Sequence, residues 1–126
     1  MTPLAPGKTL GILGGGQLGR FLAAAAKSLG YRTAALDASP DAPALRVVDL
    51  PVVGSVDDPA AGRRLAEASD LVTLEWELIA EPVLEAVAAL KPLYPAPSVL
   101  AVIRDRLTQR LFLKEHGFPQ TEIGRA

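Results

Sequence analysis

A chain of 126 residues is one domain of ordinary size, and 49% apolar residues against 21% charged ones supply a packed core. The charges nearly cancel, 13 basic against 14 acidic, with no basic patch, which argues against nucleic acid as a partner. Without cysteine, and with His116 as the single histidine, disulfides, thiolate nucleophiles and histidine-based metal clusters are excluded; no apolar run approaches the roughly 20 residues of a membrane span and Met1 to Gly7 lacks a signal-peptide core, so a cytoplasmic protein away from membranes is expected.

The predicted elements alternate between strands and helices. Thr9 to Leu13 is a compact apolar run that ends at glycines, as a buried strand does. Gln17 to Leu29 follows with Leu18, Leu22, Ala25 and Leu29 on one helical face and Gly30 as its stop. Core packing is the expectation for that row, Leu18 included. Arg32 to Asp37 is a second strand, after which Pro40 and Pro43 break the chain into a loop. Leu50 to Val53 is a third strand. Asp58 and Pro59 carry the cap and first-turn chemistry of a helix that runs to about Ala68. Leu71 to Glu75 is a fourth strand, and Glu81 to Leu90 a helix that turns Val83, Leu84, Val87 and Leu90 inward. Leu93 and Tyr94 make the stub of a fifth strand. Ser98 to Ile103 and Asp105 to Glu115 are helical pieces, closed by Gly117 and Pro119; Phe118 to Ala126 is an edge strand, a linker or a cut end. Trp76 and Tyr94 are expected to pack, and His116 to sit in a last helical turn where an imidazole suits the dipole. The alternation implies crossover units and a parallel sheet, and the scarcity of polar residues in the strands implies helices on both faces, a Rossmann-like α/β fold.

The main motif is Gly14-x-Gly16-x-x-Gly19, directly after a strand and opening a helix. Gly14 permits the tight turn, Gly16 lets a ligand approach the backbone, and Gly19 lets the helix pack closely on the sheet. The helix start then offers free N–H groups to an anion. Asp37 ends the second strand, where a dinucleotide fold places its ribose-binding acid. Alone, this pattern fits a nicotinamide or flavin nucleotide, a turn that binds nothing, or another ligand at the same place.

Four segments together are more specific. Gly14-Gly15-Gly16-Gln17-Leu18-Gly19-Arg20, the Leu36-Asp37 to Ala44 loop, Val72-Thr73-Leu74-Glu75-Trp76-Glu77, and Asp105-Arg106-Leu107-Thr108-Gln109-Arg110 with Gly117-Phe118-Pro119 stand in this order. Together they resemble the N5-carboxyaminoimidazole ribonucleotide synthetases, purine-biosynthetic ligases of the ATP-grasp class, over roughly Lys8 to Pro119. Two positions depart from that pattern: Leu78 stands where the family often has asparagine, and Phe21 where it often has methionine. The alternatives are the dinucleotide (NAD)-binding domain of an oxidoreductase, a sister ATP-grasp enzyme such as the formate-dependent glycinamide ribonucleotide transformylase, and a non-catalytic binding module.

The resemblance implies a Rossmann-like N-terminal domain over residues 1–96 and a helical connection over residues 97–126 toward an ATP-grasp domain beyond Ala126. It implies carboxylation of 5-aminoimidazole ribonucleotide with bicarbonate, at the expense of ATP with Mg2+, in an enzyme that is usually a homodimer. The substrate-binding residues would be Gly16, Gln17, Leu18 and Glu75, and the ATP-binding residue Arg106, whose forked guanidinium suits phosphate. Glu77 and Arg20 are expected to face solvent. No catalytic residue or metal ligand is expected within this length, so the chain alone is expected to be inactive.

Overall fold

The computed structural model describes residues 2–121. Its strands β1 (Thr9–Leu13), β2 (Arg32–Asp37), β3 (Leu50–Val53) and β4 (Leu71–Leu74) form one parallel sheet in the order β3-β2-β1-β4. The helices are α1 (Gln17–Ser28), α2 (Pro59–Glu67), α3 (Glu81–Ala88), α4 (Pro97–Ile103) and α5 (Arg106–Glu115). The expected fifth-strand stub is a single parallel bridge from Leu93 to Val72 on the free edge of β4. Of the tail expected as strand, linker or cut end, residues 122–126 lie outside the described residues; Phe118 to Thr121 carries no strand.

Both faces of the sheet are covered, which is why its strands carry so little polar alternation. On one face Leu13, Ala34, Leu36 and Val72 meet Leu65 of α2, Val83, Leu84 and Val87 of α3, and Leu100 of α4. On the other, Ile12 and Ala35 meet Ala23 of α1 and Ala42, Ala44 and Leu45 of the loop after β2. Leu90, expected to face inward with α3, lies beyond that helix's end and is exposed.

The first helix packs differently from its apolar row. The residues of α1 that are buried are Gly19, Ala23 and Ala26, whereas Leu18 and Leu29 are 67% and 68% exposed and Leu22 is at the surface. Close approach is the cause. A side chain at Gly19 would put its Cβ 2.8 Å from the Gly14 carbonyl oxygen, so the face toward the sheet must be built from small residues. The leucines are left outside. Trp76 and Tyr94, expected to pack, do so only in part, at 43% and 40% exposed.

Side chains secure the element ends. Asp58 accepts from the Ala60 N–H at the head of α2, and Asp105 accepts from the Thr108 N–H at the head of α5. Asp49, just before β3, accepts from the Thr33 N–H at 2.8 Å and lies 3.3 Å from Lys27 Nζ, which joins β3, β2 and α1. These bonds, the Thr33 N–H foremost, hold the Asp49 carboxyl below its ordinary value. His116 is the C-cap of α5, stacked on Phe112, its Nδ1 2.8 Å from the Phe112 carbonyl.

Candidate functional site

The chain runs from β1 outward through β2 to β3 and then returns to place β4 on the other side of β1. That reversal opens a crevice at the carboxyl ends of β1 and β4, where ligands of open α/β sheets bind. The glycine loop leaves β1 there, and Glu75 leaves β4 beside it, its N–H donating to the Leu13 carbonyl at 3.0 Å.

Gly14 has φ +100°, a left-handed turn that a side chain would strain. The loop after it is closed by two carboxylates. Glu75 accepts from the Gly16 N–H through Oε1 at 3.0 Å and from the Gly19 N–H through Oε2 at 2.5 Å. Asp37 accepts from the Gly15 N–H at 3.1 Å through one oxygen and from the Ser39 N–H at 2.9 Å through the other. The Gly15 carbonyl accepts from the Ala44 N–H at 2.9 Å.

A helix start leaves its first N–H groups without intrahelical partners. In α1 these belong to Gly16, Gln17, Leu18 and Gly19. Glu75 takes the first and the last. The Gln17 and Leu18 N–H groups have no acceptor among the described residues. The group that comes close to Gly16 is therefore the Glu75 carboxylate, and a Cβ on Gly16 would lie 2.6 Å from Oε1. Beside the helix start lies an open cleft of about 290 Å3, lined by Gln17, Arg20, Asp41, Pro43, Arg46 and Val47. Arg46 pairs with Asp41 there at 3.0 Å; Arg20 is exposed, as expected.

Arg106 sits apart from this crevice, on the first turn of α5, exposed and without a hydrogen bond or ion pair to the described residues. It borders an open groove with Gln109, Arg110, Pro119, Gln120 and Thr121. Arg110 is not available in the same way, because it donates to the Thr121 carbonyl at 2.7 Å.

Two contributors escape sequence reasoning. Asp37 holds the loop rather than standing free at a ribose position, a role the spacing alone does not reveal. Arg104, the C-cap of α4, donates to the carbonyls of Glu77 and Ile79, 27 and 25 residues away. Its sequence neighbourhood shows only a basic residue at a helix end.

An open parallel sheet with helices on both faces, a glycine loop and an acidic strand end at its switch point, and a helical arm beyond, define a Rossmann-like domain of the pre-ATP-grasp class. The chain belongs to the ribonucleotide synthetase preATP-grasp domain family, whose model matches residues 7–104. It is 42% identical over 116 residues to the N5-carboxyaminoimidazole ribonucleotide synthase of Brucella melitensis, covering 92% of this chain and 32% of that one. An N5-carboxyaminoimidazole ribonucleotide synthetase solved as its ADP complex superposes with a TM-score of 0.87 at 40% identity, covering 92% of this chain and 31% of that one. The Aspergillus clavatus synthase, solved with ADP and 5-aminoimidazole ribonucleotide, gives 0.83 at 35% identity, again covering 92% and 31%. The chain thus spans about a third of the length of these relatives.

Proposed function

We propose that this chain is the ribonucleotide-binding domain of an ATP-dependent ligase that carboxylates 5-aminoimidazole ribonucleotide with bicarbonate to N5-carboxyaminoimidazole ribonucleotide. The observation that carries this reading is the unequal use of the four N–H groups at the head of α1. With Gly16 and Gly19 held by Glu75, only the Gln17 and Leu18 N–H groups are left to bind a ligand anion. Two N–H groups at a helix N-terminus suit one phosphate. Each Glu75 oxygen uses one lone pair on the loop and keeps another, enough to accept from the exocyclic amine of an aminoimidazole. Gly16, without a side chain, gives the Glu75 carboxylate room to hold the loop in this arrangement.

A dinucleotide would place its pyrophosphate on the same helix head, so the choice between the two ligands rests on the relatives. The Aspergillus clavatus relative holds ADP and the aminoimidazole ribonucleotide together, which supports the ligase reading.

In this reading residues 1–96 hold the ribonucleotide and residues 97–126 connect to the ATP-grasp region. Arg106 reaches a nucleotide phosphate across the junction, its free forked guanidinium suited to the task. ATP, bicarbonate and Mg2+ bind mainly outside this length. Among the described residues no three His, Cys, Asp or Glu side chains converge on a metal position, and no Mg2+ contact is assigned to them. The whole enzyme works as a cytoplasmic homodimer.

The test is backbone resonance mapping of the 126-residue chain with each ligand. The ribonucleotide is expected to move the Gln17 and Leu18 amides and to displace neither Gly16 nor Gly19 from Glu75. Perturbation of Gly16 and Gly19 by NAD, with none by the ribonucleotide, would overturn the assignment.

A further inference from the structure

The segment between β4 and α3 is held at both ends, and the two ends serve different parts of the molecule. At one end Glu75 holds the Gly16 and Gly19 N–H groups of the loop. At the other, the Arg104 guanidinium donates through Nε to the Glu77 carbonyl at 2.9 Å and through a terminal nitrogen to the Ile79 carbonyl. Little else holds residues 76–78. Trp76, Glu77 and Leu78 are all exposed, and only Ile79 is buried in the main core. Arg104 caps α4, Asp105 caps α5, and Arg106 is the first residue of α5. A chain of bonded groups therefore runs from the head of α1, through Glu75 and the 76–79 backbone, to the junction from which Arg106 projects.

Arginine is suited to this task. One planar fork satisfies two backbone carbonyls that have left the sheet ladder, and charged donors make the stronger hydrogen bonds. A lysine offers a single flexible donor head in its place.

We propose that Arg104 is a positioning residue that fastens the 75–79 segment, and with it the Glu75 clamp on the glycine loop, to the α4–α5 junction. Both of its hydrogen bonds among the described residues go to backbone carbonyls. Its value to binding rests on the function proposed above, but its action on the loop does not.

The test compares the wild-type chain with Arg104→Met, which keeps the apolar stem, and Arg104→Lys, which restores one donor. Amide hydrogen exchange is measured without ligand at Gly16 and Gly19, relative to Ile12 and Ala35 in the sheet. The sheet amides report global opening. In Arg104→Met, exchange at Gly16 and Gly19 is expected to rise by about tenfold beyond any change in the sheet, with Arg104→Lys between the two, as loss of charged-donor bonds implies. Trp76, the only tryptophan, lies inside the fastened segment, so its fluorescence anisotropy is expected to fall in the same order. Loop and sheet amides that accelerate equally, or loop amides that stay protected while Trp76 loosens, would refute the coupling. Ribonucleotide is then added to the same samples. A weaker response in Arg104→Met than in wild type supports the coupling, whereas no response in wild type refutes the ligand assignment while the ligand-free exchange still decides the role of Arg104.

Discussion

Glu75 caps the head of α1 from 56 residues away, doing for Gly19 what a local Ser or Asp does in most helices. Its replacement by alanine leaves two part-buried N–H groups to water and is expected to lower stability by about 1–2 kcal/mol, seen as a lower urea midpoint. An unchanged midpoint would mean that the clamp contributes nothing. Gly16→Val places a side chain against Glu75 Oε1 and pushes the clamp off the loop. In the proposed ligase this variant is expected to raise the KM for the ribonucleotide more than that for ATP. Arg106→Ala is expected to do the reverse, weakening ATP by roughly ten- to a hundredfold as one charge-assisted hydrogen bond is lost. A lower melting temperature with an unchanged KM for ATP would make Arg106 a structural residue. Gly14, Gly19 and the cap at Asp58 are readable from sequence because their chemistry is local. The partners of Asp37, Glu75 and Arg104 are not, because each hydrogen bond closes only after distant strands and helices have assembled.

At the scale of elements, the strands and helices follow from apolar period and from turn chemistry, and their ends fall within one or two residues of expectation. The face that α1 buries does not follow. Periodicity finds an apolar row, but the distance between helix and sheet decides which row fits, and that distance is set by Gly19, Ala23 and Ala26. Ala23→Leu is therefore expected to destabilise the domain by about 1–3 kcal/mol through overpacking. Leu18→Gln, on the exposed row, is expected to stay within about 0.5 kcal/mol of wild type. The opposite order in a denaturation series would show that α1 packs through its leucines. The link from α1 to β3 makes a separate prediction. Asp49 has its folded pKa lowered from 3.8, chiefly by the Thr33 N–H. A depressed carboxyl contributes stability that is full above its unfolded value and lost as pH falls through the folded one. Asp49→Asn is therefore expected to be less stable than wild type at neutral pH, with the gap closing as pH drops below 3.8; a gap that persists in acid would trace to packing rather than charge.

At the scale of the whole molecule, the described residues present a crevice at the switch point and, on α5, Arg106 with no partner among them, and the proposed reaction uses both. The 126-residue chain alone is expected to release no ADP with bicarbonate and the ribonucleotide; steady turnover above background would place the ATP machinery within it. Leu18, Leu22 and Leu29 on and at the end of α1, and Ile103, Leu107 and Leu111 on α4 and α5, are left exposed. The central claim is that the glycine loop, closed by Glu75 and Asp37, serves a ribonucleotide phosphate at Gln17 and Leu18 and not a dinucleotide. Calorimetric titration of the chain with 5-aminoimidazole ribonucleotide and with NAD tests it most directly. Weak, saturable binding of the ribonucleotide, abolished by Gly16→Val, with no heat from NAD is the predicted result; micromolar binding of NAD with no ribonucleotide signal would contradict it.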